Sequence, residues 1–307
     1  MRASVIIPSH RSQQTLPRTL QSLEVAAKGL EIETVVIEDA EGRGPSWARN
    51  RGLDKATGDI IFFCDADDAV RPDFFRVPIA ALESSDADLC FFSYAGGPKL
   101  EASDISGCDE VRARYLPAFF GYSFDDVRRW NSGGSLTSRK EFGQVWRCAY
   151  RRSFLQRHEI RFDERIRLYE DAAFLSECVA FANRVVSVPD CLYDYMPSSS
   201  GNMATGANSR RHWDYKFLVM ELRKRLDDAT GGAVWKYCEA SCVFSALEMM
   251  RLWRRAGLTF AEFREGFFRY LGDERVVSAV RRFPVSVRHP LTAAAVLFLR
   301  GMTKLNG

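Results

Sequence analysis

The sequence has no CxxC pair, and its four histidines do not gather near the eight scattered cysteines at 64, 90, 108, 148, 178, 191, 238 and 242. That excludes the usual zinc frameworks, and unpaired thiols fit a reducing compartment. No secretory leader is expected, because Met1-Arg2 runs straight into strand-like residues and a proline. No apolar stretch is long enough to span a bilayer. Charge of one sign is missing too: 43 Lys and Arg against 40 Asp and Glu leave +3, too little to argue for nucleic acid as a partner. A cytoplasmic protein is the expectation. The 46% hydrophobic and 27% charged residues describe a globular chain, and 307 residues allow one large domain or two modest ones.

The stretch that organises the rest is residues 58–68, GDIIFFCDADD. An apolar run bounded by Gly-Asp and an acidic cluster reads as a strand buried on both faces, hence as part of a parallel α/β sheet. Ligands of such sheets bind beyond the carboxyl ends of the strands, where Asp65, Asp67 and Asp68 sit. Crowded carboxylates repel unless a cation or water separates them. Two readings stand: a Mg²⁺ or Mn²⁺ site completed by phosphate, or a solvated acidic turn.

Along the chain, residues 3–7 (ASVII) form a first strand ending at Pro8-Ser9-His10. Residues 15–30 carry a helical period, residues 33–38 contain a second strand ending in Glu38-Asp39, and a helix over 47–56 is closed by Gly58 as its cap. With the strand above this makes a βαβαβ half whose strand ends bring Ser9, Asp39 and Asp65/Asp67 to one edge. A helix near 72–83 and a strand over 88–94 follow. The middle is irregular: polar residues 96–108, a Gly/Ser loop over 131–140 suited to lining a site, and a mixed stretch over 142–155. Asp171 precedes a helical run, so it is either functional or an ordinary first-turn carboxylate. Residues 185–195 read as a strand broken by Pro189.

From about Arg210 the pattern becomes amphipathic helices: 213–226, 233–255 and one opened by a capping box at Thr259 and Glu262. Residues 287–304 end the chain with an apolar core at 291–299, flanked by Arg281, Arg282, Arg288 and Lys304. This segment either lies in an anionic bilayer surface or completes the core as a terminal helix.

The motifs SVIIPSH, TVVIEDA, ARNRGLDKATGDIIFFCDADD and YEDAAF, in this order and spacing, resemble the inverting family 2 glycosyltransferases of the GT-A fold. The resemblance covers roughly residues 3–200, and the stretch VWRCAYRRSFLQRHEIRFDERIRLYEDAAF is similar to enzymes that build bacterial capsules, lipopolysaccharides and exopolysaccharides. It implies a Rossmann-like α/β transferase domain with a mostly parallel sheet over 1–205 and a helical region over 206–307. Within the first, 1–95 would bind nucleotide and 96–205 would serve the acceptor. It implies that Asp65 and Asp67 hold Mn²⁺ or Mg²⁺ on a nucleotide-sugar diphosphate, most simply a UDP-sugar, that Asp39 reads the base, and that Asp171 is the catalytic base. Pro8, Ser9 and His10 would contact the nucleotide. Arg49 would reach the diphosphate, hold an aspartate, or stay a helix-surface cation. Trp146, Arg147 and Glu170 would stand on the acceptor side, with a core role open for Trp146. The acceptor would be a glycan or lipid-linked hydroxyl, met in peripheral contact with the inner membrane.

Two departures are visible. Glu38-Asp39-Ala40-Glu41 stands where the family commonly has Asp-Asp-Gly-Ser, and Gln144 to Arg147 precede the ED pair, so the QxxRW motif of processive synthases is not matched. Two alternatives remain. A haloacid-dehalogenase-type phosphotransferase would use Asp65 as nucleophile, although that motif normally goes with the first strand and is followed by a threonine or valine, whereas here it goes with the third and is followed by Asp68-Ala69. The other is a non-catalytic sugar-nucleotide-binding relative, against which the presence of both carboxylate motifs argues.

Overall fold

The computed structural model describes residues 1–136, 143–196 and 209–305. The chain divides into two compact units: residues 1–114 with 141–206, and residues 115–140 with 207–307.

The first unit is built on an eight-stranded sheet: β1 Ala3–Ser9, β2 Ile32–Glu38, β3 Ile60–Phe63, β4 Ala69–Val70, β5 Leu89–Tyr94, β6 Ser103–Ser106, β7 Cys148–Arg151 and β8 Arg184–Asp194. The order is β2-β1-β3-β7-β5-β8-β4, with β6 paired to β8. Strands β2, β1, β3, β5 and β8 run one way, and β7, β4 and β6 run against them. The mostly parallel sheet is therefore mixed at its centre. The four residues of β7 lie antiparallel between β3 and β5, where the irregular reading of 142–155 left no strand.

The helices are α1 Leu16–Ala26, α2 Pro45–Lys55, α3 Arg76–Ser85, α4 Cys108–Phe120, α5 Phe124–Asn131, α6 Arg152–Arg157, α7 Glu170–Phe181, α8 Ser209–Ala229, α9 Glu239–Leu252, α10 Phe260–Leu271, α11 Glu274–Arg282 and α12 Pro290–Leu305. β3 is buried on both faces because aromatic layers cover both: Phe62 meets Phe74 and Phe75, and Phe63 meets Tyr150, Phe162 and Phe174. Helix α2 lies unusually close on β1. A Cβ at Gly52 would come within 2.2 Å of Ile6 Cγ2, so only glycine permits this approach. Gly58 is not the cap of α2 that the sequence suggested. The helix ends at Lys55, and Gly58 instead donates its N–H to Ser4 Oγ at 2.8 Å, against backbone that leaves no room for a side chain.

In the second unit α5 and α8 to α12 enclose a core that includes Phe124, Val127, Met220, Val243, Phe267 and Leu299. The expected division at 205/206 thus needs a correction. Residues 115–140 cluster with the C-terminal helices, because the apolar face of α5, Phe124 and Val127, is buried in that core. The capping box at Thr259 forms, Thr259 Oγ accepting from Glu262 N–H while the Glu262 carboxylate accepts from Thr259 N–H. The expected helix over 233–255 begins only at Glu239, after a 3₁₀ turn at Trp235–Tyr237.

Candidate active site

Because β2, β1 and β3 are parallel neighbours, their carboxyl ends deliver Ser9, Asp39 and the acidic turn 65–68 to one edge. Each makes specific contacts there. Ser9 Oγ donates to Glu38 at 2.7 Å, and Asp39 N–H donates to Ser9 O at 2.7 Å. Exposed His10 sets Nδ1 2.6 Å from Asp39 O, and the preceding Pro8 is half-buried in β1. The Asp39 carboxylate is buried and accepts from Arg43 N–H at 2.8 Å and Gly44 N–H at 2.7 Å. Burial alone would raise its pKa. The two backbone donors reverse that, and the carboxyl is held below its ordinary value. Asp39 thus shapes the loop into α2, and each oxygen keeps one lone pair for a ligand.

Arg49, on α2 and only 3% exposed, is the hub. Its Nη1 donates to Asp171 Oδ1 at 2.6 Å and its Nη2 to Asp65 Oδ1 at 3.0 Å, while Glu170 Oε1 lies 3.8 Å from Nη1. The guanidinium lies 5.4 Å from the Phe162 ring centroid, and its buried Nε has no hydrogen-bond partner among the described residues. Of the three roles open to Arg49, the structure shows the one that holds aspartates. Helix α2 is fixed in register by Asn50, which sequence reasoning missed. Its amide donates to Phe162 O at 2.9 Å, and its oxygen accepts from Phe162 N–H at 3.0 Å. The only sequence signal was a polar residue one turn after Ser46, on a helix face that is also buried.

Beyond β3 the three aspartates part ways. Asp68 is fully buried, accepting from Tyr193 Oη and from Met196 N–H, each at 2.7 Å. Burial pushes it up to about 7, with the neighbouring Asp65 and Asp67 adding to the rise. It is a loop carboxyl that ties the acidic turn to the end of β8. Asp65 keeps one oxygen on Arg49, and its N–H donates to Tyr193 Oη at 3.1 Å. Asp67 is raised by burial first and by Asp65 second. Among the described residues no side chain donates a hydrogen bond to its carboxylate; Arg18 instead reaches its backbone oxygen. A half-buried carboxylate with a like charge beside it, offset only by the nearby Arg18 guanidinium, fits a divalent ion. No group of three or more His, Cys, Asp or Glu side chains is placed to hold a metal among the described residues. Water and phosphate would have to complete the shell.

At the start of α7, Tyr169 sits in the left-handed region (φ 58°) and turns the chain into the helix. Asp171 Oδ2 accepts from Val145 N–H at 3.3 Å while Oδ1 takes Arg49. Burial pushes its carboxyl up to about 7. Glu170 and Asp65 push the same way, against the pull of Arg49. Adjacent residues on a regular helix face apart, but Glu170 and Asp171 do not. Both reach Arg49, because the first turn follows a left-handed residue and the longer Glu170 spans the extra distance.

The acceptor-side expectation for Trp146 and Arg147 is corrected likewise. Trp146 is 4% exposed and stacks on Tyr193 at 4.2 Å between centroids. Arg147 is fully buried and donates to Phe92 O at 3.2 Å. Both are core residues, as a short 3₁₀ turn leading into the central strand β7 requires. Within the expected loop 131–140, residues 137–140 lie outside the described residues. The polar stretch 96–108 contains β6, hydrogen-bonded to β8.

The model of the Glycosyl transferase family 2 matches residues 35–104, which contain α2 and the acidic turn. Among curated proteins the chain is 26% identical over 213 residues to the succinoglycan biosynthesis protein ExoO of Rhizobium meliloti, covering 62% of this chain and 59% of that one. It is 28% identical over 162 residues to the putative glycosyltransferase EpsH of Bacillus subtilis, covering 50% and 42%. The chain therefore spans about half the length of these relatives. A crystal structure of Staphylococcus aureus TarS in complex with UDP-GlcNAc superposes with a TM-score of 0.62 at 15% identity, covering 99% of this chain and 92% of that one. The fold is GT-A, and the chain resembles family 2 glycosyltransferases.

Proposed function

We propose that this chain is an inverting glycosyltransferase. It moves a sugar from a nucleoside-diphosphate donor, a UDP-sugar, to a hydroxyl of a glycan or lipid-linked acceptor in bacterial surface polysaccharide synthesis, at the cytoplasmic face of the inner membrane. The observation that carries the reading is Arg49, which hydrogen-bonds the aspartate of the DxD turn and that of the ED pair. One guanidinium holds the donor-side and acceptor-side carboxylates together. The ExoO and TarS likenesses point the same way, TarS having been solved with UDP-GlcNAc.

In this reading the acceptor O–H bond breaks as its oxygen bonds to the anomeric carbon from the face opposite the diphosphate. The proton passes to Asp171, and the bond from that carbon to the diphosphate oxygen breaks with its electron pair. A carboxyl near pH 7 in affinity is matched to this task, whereas one at its ordinary value would be a weaker base. Mn²⁺ or Mg²⁺ held by Asp67 and Asp65 would offset the charge growing on the leaving diphosphate. Asp39 would accept from the base, and the backbone of Pro8, Ser9 and His10 would border the nucleotide.

The direct test is a thermal melt with nucleoside diphosphates, since a ligand of the folded state raises its stability. UDP with Mn²⁺ is expected to raise the midpoint, and no shift with any nucleoside diphosphate would sink the reading. Asp67→Ala should abolish the metal-dependent part of the shift while leaving the ligand-free melt nearly unchanged. UDP binding that is equally tight without metal would remove Asp67 from the role. Uracil offers an imide N–H to a carboxylate and cytosine does not, so a competition assay should favour UDP over CDP by roughly tenfold or more. Thymidine diphosphate keeps that proton and should compete; tight CDP binding would contradict the role of Asp39.

A further inference from the structure

Helix α12 offers an apolar face that no other element covers among the described residues. Leu291, Ala294, Leu297, Phe298 and Gly301 recur at helical spacing and are all exposed, Leu291 at 86% and Leu297 and Phe298 at 55% each, and Val287 in the turn before the helix is exposed at 94%. The opposite face is committed to the core through Val296, Leu299 and Thr303. The start of the helix is pinned by His289, whose ring stacks on Trp130 with 3.4 Å between centroids. The stripe is thus held outward over about 15 Å of helix at the usual rise per residue.

The charge around it is one-sided. No Asp or Glu follows Glu274, while Arg275, Arg281, Arg282, Arg288, Arg300 and Lys304 do. Exposed Arg281 and Arg288 form no ion pair among the described residues, whereas Arg282 is paired with Glu239. The whole unit repeats the pattern: residues 115–140 and 207–307 hold 22 Lys and Arg against 12 Asp and Glu, a net +10. The other unit holds 21 against 28, a net −7.

We propose that the α12 face is a docking surface for an anionic lipid bilayer, with the helix lying in the plane of the interface. An apolar stripe alone names no partner, and a basic patch alone suits any polyanion. Together, with Arg281 and Arg288 placed before a helix that carries the apolar stripe and no acidic residue, they match apolar insertion beside anionic headgroups. No helix among the described residues is long and apolar enough to cross a membrane, so the contact is a surface one. The inference adds a place of contact to the function proposed above. It rests on residues remote in sequence from the candidate site, so vesicle binding and sugar transfer can fail separately.

The test is sedimentation of the full chain with vesicles of phosphatidylcholine alone or with phosphatidylglycerol. Binding is expected to the mixed vesicles, to weaken with salt, and to be far weaker on phosphatidylcholine. Leu291→Ser and Phe298→Ser should each weaken it about tenfold, and Arg288→Glu about fivefold or more. The side chains are largely exposed, so unchanged thermal melts are expected for all three, and UDP-dependent melt shifts should persist. Absence of sedimentation with anionic vesicles overturns the proposal. So does undiminished binding by the Leu291→Ser/Phe298→Ser pair. A dimer by light scattering that this pair dissolves, without vesicle binding, would assign the face to a second copy and also overturn it.

Discussion

Asp171→Asn is expected to lower turnover by about 10² to 10⁴, the range that general base catalysis contributes. Asparagine keeps the shape and can still accept from Arg49 Nη1, now at 2.6 Å from Asp171 Oδ1, but it cannot take a proton. Donor affinity should barely change, because the loss falls on the acceptor. The pH profile is the sharper readout. With the carboxyl pushed up to about 7, kcat/KM of the parent should rise with pH through a midpoint near 7, as the base becomes deprotonated. The variant should lack that limb. Glu170→Gln should cost less, as Glu170 stands 3.8 Å from Arg49 and carries no hydrogen bond to it. Near-normal transfer by Asp171→Asn would remove it as the base, as would a defect confined to donor binding or folding.

The apolar runs announced most of the sheet. IIFF at β3 is buried throughout and LCFFSY at β5 at every position but the last, as strands of a sheet covered on both faces require. The central strand β7 was invisible because its four residues CAYR have no period to read and their pairing partners lie 57–91 positions earlier. At the site, residue types told which groups carry chemistry, and the contacts came from elsewhere. A left-handed Tyr169 sets the aim of Glu170 and Asp171, and no composition rule marks a tyrosine for that backbone. Residue type alone does not set Asp68 apart in the DADD run, although the resemblance gives the metal to Asp65 and Asp67 only. Tyr193, 125 residues away, makes it structural. Trp146 was ambiguous for a similar reason: its stacking partner Tyr193 belongs to a strand that the sequence places no nearer to it than to any other residue.

The second large effect is expected at Arg49. A single cation, 4% exposed in its side chain, serves Asp171, Asp65 and, more distantly, Glu170, whose side chains are 21%, 29% and 19% exposed. Arg49→Met leaves three carboxylates facing one another. Breaking a fully buried pair costs about 3–5 kcal/mol, and the access of these carboxylates to water brings the expectation to about 2 kcal/mol near pH 8. The cost should depend on pH in a definite direction. Asp171 already has a folded-state pKa above its ordinary value, so its ionisation disfavours the fold as pH rises through about 7. Arg49 opposes that rise; without it the folded-state pKa goes higher, and more stability is lost on the alkaline side. The melting midpoint of Arg49→Met should therefore fall further below the parent at pH 8 than at pH 5.5. Transfer should drop about a hundredfold through lost positioning, and the remaining activity should show its limb displaced to higher pH. Arg49→Lys restores the charge but not the planar fork that spans two carboxylates, so it should recover part of the stability and little of the rate. If activity falls while the limb stays near 7 and the melts keep a constant offset across pH, Arg49 acts on the donor alone, and its coupling to Asp171 is without effect on the chemistry.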